Sequence, residues 1–473
     1  MKRRDLIVIG GGVGGLVTAS VAGQLGLDVV LVEREDKLGG DCLHYGCVPS
    51  KSLIRAAEVA HLARQAEHFG IRTGDVSADL GAVMDRVRAV IAAIQEHDDP
   101  ERFRSYGVDV RFGEARFTAS HTVRVNGEDL HGRRFVIATG SRPSVPAVPG
   151  LAEAGFLTNE TVFQATDLPP RLGVIGGGPI GMELAQAFAR LGSRVTVLEM
   201  ADRILPREDP EMAGELRDLL QKEGLEIRTG TRLAEVATRD GGKVLQCLAG
   251  SESFEVEVDE ILLAAGRAPN VESLDLEAAG VVAGPGGIEV DARMRTSARR
   301  IFACGDVCGP YPFTHVAEYQ AGIIIANAVF RFPKKADYRV VPWATYTAPE
   351  LAHVGLTEQA ARDQGLSVQV ARFSFSDVDR ALAEGSAVGS MKLLVHKRRV
   401  AGATILGPHA GELIHEMVLA MQAGVRISQV AEAIHAYPTL AQVHRRTVNS
   451  VLSAKLFAPG TRRVVRWINR LLP

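Results

Sequence analysis

Apolar residues run without alternation through Leu6-Ile7-Val8-Ile9-Gly10, the pattern of a strand buried on both faces of a parallel sheet. Glycines crowd positions 10 to 15 and predict a tight turn, and Leu16 to Leu25 carries helical spacing. Asp28 to Glu33 reads as the next strand, so the chain opens with a βαβ unit. The same order recurs later: Arg171 to Gly176 predicts a strand, Gly177 and Gly178 a turn, Gly181 to Leu191 a helix and Arg194 to Glu199 a strand. Past residue 336 the pattern changes. There Val341–Tyr346, Gln369–Phe375 and Lys392–Val395 read as strands, and Glu412–Ala423, Ser428–Ile434 and Leu440–Ser453 as helices. The predicted class is α/β: two Rossmann-like dinucleotide-binding domains, then a separate α+β domain.

Proline-rich stretches at 142–149 and 267–270 flank the second nucleotide unit and read as interdomain connectors. They suggest that this unit is inserted into the first. A chain of 473 residues exceeds one core, and about three or four domains is the expectation.

Composition narrows the function. Basic and acidic residues nearly balance, 54 against 56, so no global field favours nucleic acid. Five cysteines in a chain this long do not form a secreted disulfide scaffold. They fit a reducing compartment, the cytoplasm, in which a disulfide is catalytic. The start, Met1-Lys2-Arg3-Arg4 before an apolar run, imitates a signal peptide, but its glycines are better explained as a nucleotide turn. No apolar stretch reaches the ~18 residues of a membrane span.

Gly10-x-Gly12-x-x-Gly15 lies between a predicted strand and helix, and Glu33 follows the last glycine by eighteen residues. Such glycines permit close approach of backbone to a pyrophosphate, the helix N-terminus favours its charge, and the carboxylate accepts from a ribose hydroxyl. Gly176-x-Gly178-x-x-Gly181 repeats the arrangement with Glu199 at the same distance. Glu199 would repel a 2′-phosphate, which favours NADH over NADPH, although Arg194 and Arg203 lie nearby.

After the first unit comes Gly39-Gly40-Asp41-Cys42-Leu43-His44-Tyr45-Gly46-Cys47-Val48-Pro49-Ser50-Lys51. Residues five apart on a regular helix point about 140° from each other, so joining Cys42 to Cys47 requires an irregular turn, which Gly46 permits. Pro49 suits the first turn of a helix beginning near Cys47, where the dipole lowers a thiol pKa. A zinc half-site and two inert buried cysteines are the alternatives. Zinc spacing is usually closer and needs two more ligands, so no metal site is expected.

This segment resembles the redox-active disulfide motif of the class I pyridine nucleotide-disulfide oxidoreductases, the family of dihydrolipoamide dehydrogenase, glutathione reductase and mercuric reductase. The likeness runs to about residue 455. Ala138-Thr139-Gly140 and Ala265-Gly266-Arg267 resemble the family's interdomain crossovers. Thr296 to Asp306, ending Phe302-Ala303-Cys304-Gly305-Asp306, resembles its second FAD motif, and Thr314-His315-Val316-Ala317 the stretch beside the flavin. The resemblance implies FAD in the first nucleotide site, NADH in the second, and a homodimer. It divides the chain into a FAD domain in two parts (1–150 and 269–335), an NAD domain (151–268), a dimerisation domain (336–460) and a basic tail (461–473). It also implies that Cys47 faces the flavin, that Cys42 exchanges with substrate, that Lys51 paired with Glu183 lies near the flavin N5, and that Asp306 holds the ribityl chain. Cys247, Cys304 and Cys308 are expected to be structural.

One motif departs from the family. Its usual His-Pro-Thr-x-x-Glu is here Tyr437-Pro438-Thr439-Leu440-Ala441-Gln442. Tyrosine, with an ordinary pKa near ~10, is a poor base at neutral pH. If the segment is extended, His435 points to the same side as Tyr437 and is the substitute base. His444 is a further candidate, and a packed interface histidine the plain reading of either. A dithiol or disulfide acceptor is favoured. A metal-ion or quinone reductase is the alternative, although no cysteine follows Cys308 to deliver mercury. From another class, the chain could be a redox-responsive binding flavoprotein at a membrane. Thr461 to Leu472 predicts a basic amphipathic helix, expected to pack on the protein's own surface, with peripheral membrane contact as the second reading.

Overall fold

A computed structural model describes residues 3–239 and 241–471. The chain divides into two units, Met1–Leu198 with Thr231–Asp337, and Glu199–Gly230 with Tyr338–Pro473.

The first unit is built on a five-stranded parallel sheet in the order Ile301–Ala303, Phe135–Ile137, Leu6–Ile9, Val29–Glu33, Val108–Phe112. Every residue of Leu6–Ile9 and Val29–Glu33 is buried, as expected of strands covered on both faces. A small sheet that includes Ala115–Ala119 and Thr122–Val125 shares this core, with Phe117 edge-on to Phe135 at 5.4 Å. A second set of parallel strands, Arg194–Leu198, Arg171–Ile175 and Glu260–Leu263, carries the antiparallel meander 231–258. The polypeptide between Ile137 and Ile301 therefore leaves the first sheet and returns to the strand beside its point of exit.

The two proline-rich connectors are not free linkers. Ser141–Pro143 pairs antiparallel with Arg267–Pro269. Proline is tolerated because the ribbon has two edges and little ladder to interrupt.

Both nucleotide helices begin earlier than the apolar spacing predicts, at Val13 rather than Leu16 and at Pro179 rather than Gly181. Glycines lower helix propensity, but here they occupy the first turn, where contact with the strand turn excludes a side chain.

The second unit holds a five-stranded antiparallel sheet, Pro342–Thr345, Glu350–Gly355, Arg399–Gly407, Ser390–His396 and Gln369–Ser374. Two of these strands, Glu350–Gly355 and Arg399–Gly407, are missed by the sequence reading. Their Glu, His and Gly residues hide the apolar pattern, yet His353 is fully buried and bonds Thr404 Oγ1 (2.8 Å) and the Gly355 carbonyl (3.0 Å). Met391, Leu393 and Val395 enter one core with the helices Ala410–Gln422 and Gln442–Leu456. The alternate residues Ser390 and Lys392 face helix Pro210–Lys222.

Helix Pro459–Leu471 contradicts the expectation that the tail packs on the protein, since none of its residues is buried. Its predicted last position, Leu472, lies outside the described residues, as do Met1 and Lys2.

Buried Lys392 is ringed by carboxylates, Asp209 at 3.0 Å, Glu211 at 2.9 Å and Glu358 at 2.5 Å. Lys392→Met strands the equally buried Asp209 charge and is expected to cost about 3–5 kcal/mol by urea denaturation. Adding Asp209→Asn, which keeps a helix cap, should recover part of that loss.

Candidate active site

The first glycine turn is fixed by close backbone contact. Gly10 has φ +105°, and a Cβ there would lie 2.3 Å from the Ala138 carbonyl oxygen; one on Gly15 would lie 1.8 Å from that of Gly10. Gly12 caps helix Val13–Gln24 with no side-chain cap and no acid in the first turn. Its own Cβ would meet only Gly40 Cα at 3.8 Å. Glu33 accepts from the Gly11 N–H at 2.6 Å and the Glu35 N–H at 2.9 Å. The second turn repeats this: Gly176 has φ +112°, a Cβ on Gly181 would lie 2.0 Å from the Gly176 oxygen, and one on Gly178 would meet nothing within 4 Å. Open room before an uncapped helix start fits a pyrophosphate in both turns. In the other unit Glu199 accepts from the Ala201 N–H at 2.6 Å, while Arg203 bonds the Pro206 carbonyl at 2.9 Å.

Two short-range events build the cysteine turn. Helix Gly40–His44 stops at Tyr45, and a second helix runs from Cys47 to Arg64 with Gly46 as its cap. The break rephases the backbone, which is how residues five apart face one another. A Cβ on Gly46 would sit 3.0 Å from the Asp41 carbonyl oxygen and 3.2 Å from Cys42 Cα. Side chains distant in sequence hold the turn. Asn159 Nδ2 donates to Asp41 Oδ1 (3.2 Å) and to the Tyr45 carbonyl (3.1 Å), and Arg267 pairs with Asp41 at 3.1 Å. Arg267 Nε also donates to Ser141 Oγ (2.7 Å), whose hydroxyl donates to Asp306 Oδ2 (2.6 Å). Burial pushes the Asp306 pKa up.

Cys42 and Cys47 are both thiols here. A hydrogen bond from Cys42 lowers the pKa of Cys47 to about 6, helped by Thr314, whose hydroxyl lies 3.6 Å from the sulfur, and by the charge of Lys51, against burial and Glu183. That same bond, with burial, pushes Cys42 far up. The proton therefore rests on Cys42 and the negative charge on Cys47, at the start of a helix whose dipole adds to the preference. One turn along, Lys51 Nζ donates to Glu183 Oε2 at 2.7 Å, and that carboxylate is almost wholly buried.

Other predicted residues of this unit surround the same turns. Thr139 Oγ1 donates to the Asn270 carbonyl (2.7 Å), and Gly140 and Gly266 have φ of +68° and +114° at the crossover ribbon. The Gly305 N–H donates to Gln320 Oε1 (2.7 Å). Ala317 is buried beneath Gly305, while exposed His315 stacks on Phe313. Cys247, Cys304 and Cys308 are buried, and burial raises the thiol pKa of Cys308 to about 12. Ser141 and Asn159 were not singled out from sequence; Asp41 and Thr314 were given no role, and their only signal was their place in the quoted motifs, beside Cys42 and at the head of the stretch near the flavin.

The C-terminal stretch does not match its expectation. His435 and Tyr437 lie on no strand and bond different elements. Tyr437, 71% exposed, donates to Asp379 Oδ2 at 3.0 Å, a bond that raises its pKa further above the neutral range. His435 Nε2 lies 3.0 Å from Glu416 Oε1 and Nδ1 3.0 Å from the Ala433 carbonyl, so both nitrogens face acceptors. Gln442 Nε2 donates to the backbone of His435 and Ala436, both at 3.3 Å. Buried His444 is 3.7 Å from Glu416, and burial lowers its pKa.

Comparison with known proteins gives the same picture. The pattern described as pyridine nucleotide-disulphide oxidoreductase matches residues 4–321, and that family's dimerisation domain matches 341–447. The chain is 39% identical to a dihydrolipoyl dehydrogenase of Thermus scotoductus, over 93% of this chain and 96% of that one. It is 35% identical to a mercuric reductase of Staphylococcus aureus, over 93% of this chain and 80% of that one. Among solved structures, the HOCl-induced flavoprotein disulfide reductase RclA of Escherichia coli superposes with a TM-score of 0.85 at 28% identity, covering 94% of this chain and 99% of RclA.

In the reduced protein, iodoacetamide labelling of Cys47 mapped by mass spectrometry should rise through a midpoint near pH 6, with Cys42 unlabelled until strongly alkaline pH. Thr314→Val removes one hydrogen bond to the thiolate and should move that midpoint up by about one pH unit.

Proposed function

The chain belongs to the pyridine nucleotide-disulphide oxidoreductase family, and from that premise we propose that it passes electrons from NADH through FAD to a Cys42–Cys47 disulfide and on to a dithiol- or disulfide-type acceptor. It is an oxidoreductase with FAD and a pyridine nucleotide as cofactors, and its dimerisation domain makes it a homodimer. The thiol–thiolate asymmetry of the cysteine pair carries the reading.

When bound, FAD accepts a hydride from the nicotinamide and delivers two electrons to the disulfide. Gly12 and Gly178 leave room for the two pyrophosphates, and Glu33 and Glu199 present carboxylates to ribose hydroxyls, which favours NADH over NADPH. Lys51, ion-paired with Glu183, supplies a fixed cation one turn from Cys47. Arg267 and Ser141 hold Asp306, the carboxylate that would bind the polyol chain of FAD. Reduction breaks the S–S bond with two electrons and one proton, giving one thiol and one thiolate. Cys42 takes that proton and Cys47 is left as the thiolate; by the family's pattern, Cys42 is the sulfur that attacks an outside disulfide once it gives up its proton.

Proton transfer to that substrate is weak. Tyr437 donates but does not accept near neutrality, and His435 is held by Glu416. This favours metal-ion or quinone reduction as the second reading, because neither acceptor requires protonation of a leaving thiolate. A mercuric reductase among the relatives and a Cu(II) complex of RclA lend it support. Few cysteines and a reducing disulfide chemistry favour the cytoplasm, with the basic tail at the inner face of a membrane as part of this reading.

Turnover of NADH with lipoamide, glutathione disulfide, mercuric ion, Cu(II) and a quinone separates the readings. A disulfide should be the fastest acceptor, and Cys42→Ser should abolish its reduction while NADH still reduces the flavin. Turnover confined to metal ions or quinones, and unchanged in Cys42→Ser, contradicts the proposal. Tyr437→His with Gln442→Glu should raise kcat/KM for lipoamide by about 10², the size of one general acid–base contribution, and introduce an ionisation near neutrality into its pH profile.

A further inference from the structure

Helix Pro459–Leu471 lies past the end of the matched dimerisation domain at residue 447 and buries none of its residues. Trp467 and Leu471 are 64% and 60% exposed. At 100° per residue, Val464, Val465, Trp467, Ile468 and Leu471 share an arc of roughly 160°, and Arg462, Arg463, Arg466 and Arg470 one of roughly 100° on the other side. From Ala433 onward the chain has Arg445, Arg446, Lys455 and these four arginines, seven basic residues with no Asp or Glu, although its net charge is −2.

An occupant of this face must be apolar beside the tryptophan arc and negative beside the arginines. A second copy of the helix would bring arginine against arginine with no acid to offset them. At about 20 Å the helix is too short to span a bilayer, and no helix among the described residues is long and apolar enough to do so. It suits the headgroup plane, where each arginine near an anionic surface strengthens binding about fivefold.

We propose that helix Pro459–Leu471 docks the protein on an anionic lipid bilayer, with Trp467, Ile468 and Leu471 in the acyl boundary and the four arginines among the headgroups. The proposal rests on the placement at a membrane's inner face given above and is independent of the electron acceptor.

The test is sedimentation of the FAD-loaded full chain with phosphatidylglycerol–phosphatidylcholine vesicles and with phosphatidylcholine alone, NADH reduction of the flavin being followed in the same samples. Binding to the anionic vesicles only, released in about 1 M salt where screening falls to ~3 Å, is expected. Arg462→Gln, Arg463→Gln, Arg466→Gln and Arg470→Gln together should lower partitioning about a hundredfold or more. Trp467→Ser with Ile468→Ser, or deletion of 461–473, should also release the protein, with flavin reduction intact in every variant. Vesicle binding by a protein whose flavin NADH fails to reduce supports the docking and removes the redox reading. The proposal is overturned if the wild-type chain ignores anionic vesicles, or if the four-glutamine variant binds them equally. Deletion that lowers the oligomer mass of a chain that never bound vesicles also overturns it, and makes a second copy the occupant.

Discussion

A single proton, held on Cys42 and hydrogen-bonded to Cys47, is the interaction on which the rest of the site depends. Two adjacent thiols of equal acidity would have no fixed electron donor. Here the chain breaks its helix at Tyr45–Gly46 and restarts it at Cys47, which places one sulfur at a helix N-terminus beside Thr314 and Lys51 and leaves the other to carry the proton. The surrounding bonds hold that break in place. Asn159 and Arg267 grip Asp41 and the Tyr45 carbonyl, and Arg267 continues through Ser141 to Asp306. The cysteine turn and the segment expected to hold the flavin's polyol chain are thus one hydrogen-bonded assembly within a single unit.

Much of this was legible in the residues. Uninterrupted apolar strands and glycine spacing identified both nucleotide turns, because buried parallel strands and close backbone contact leave few other residues acceptable. The need for an irregular turn followed from helix geometry alone. What could not be read were long-range partners. Asn159 and Ser141 carry no local pattern, and their positions are set by strands that meet only after folding. The strands Glu350–Gly355 and Arg399–Gly407 escaped because a buried histidine and glycines disguise them. His435 and Tyr437 were placed together by assuming extended backbone, and the chain there forms no strand.

The C-terminal stretch is governed by a different balance. Tyr437 and Asp379 form a pair that holds a proton tightly, whereas His435 is turned onto Glu416. The tail helix adds a surface with its own chemistry, apolar on one side and cationic on the other, outside the matched dimerisation domain.

The most direct test of the central claim is anaerobic titration of the FAD-loaded protein with NADH, followed by absorbance at pH 7.5. At two electrons per flavin a long-wavelength thiolate-to-flavin charge-transfer band should appear, fade as the pH is taken well below 6, and be absent in Cys47→Ser. Flavin that takes up two electrons with no such band, or a band that survives in Cys47→Ser, would contradict a Cys47 thiolate beside the flavin.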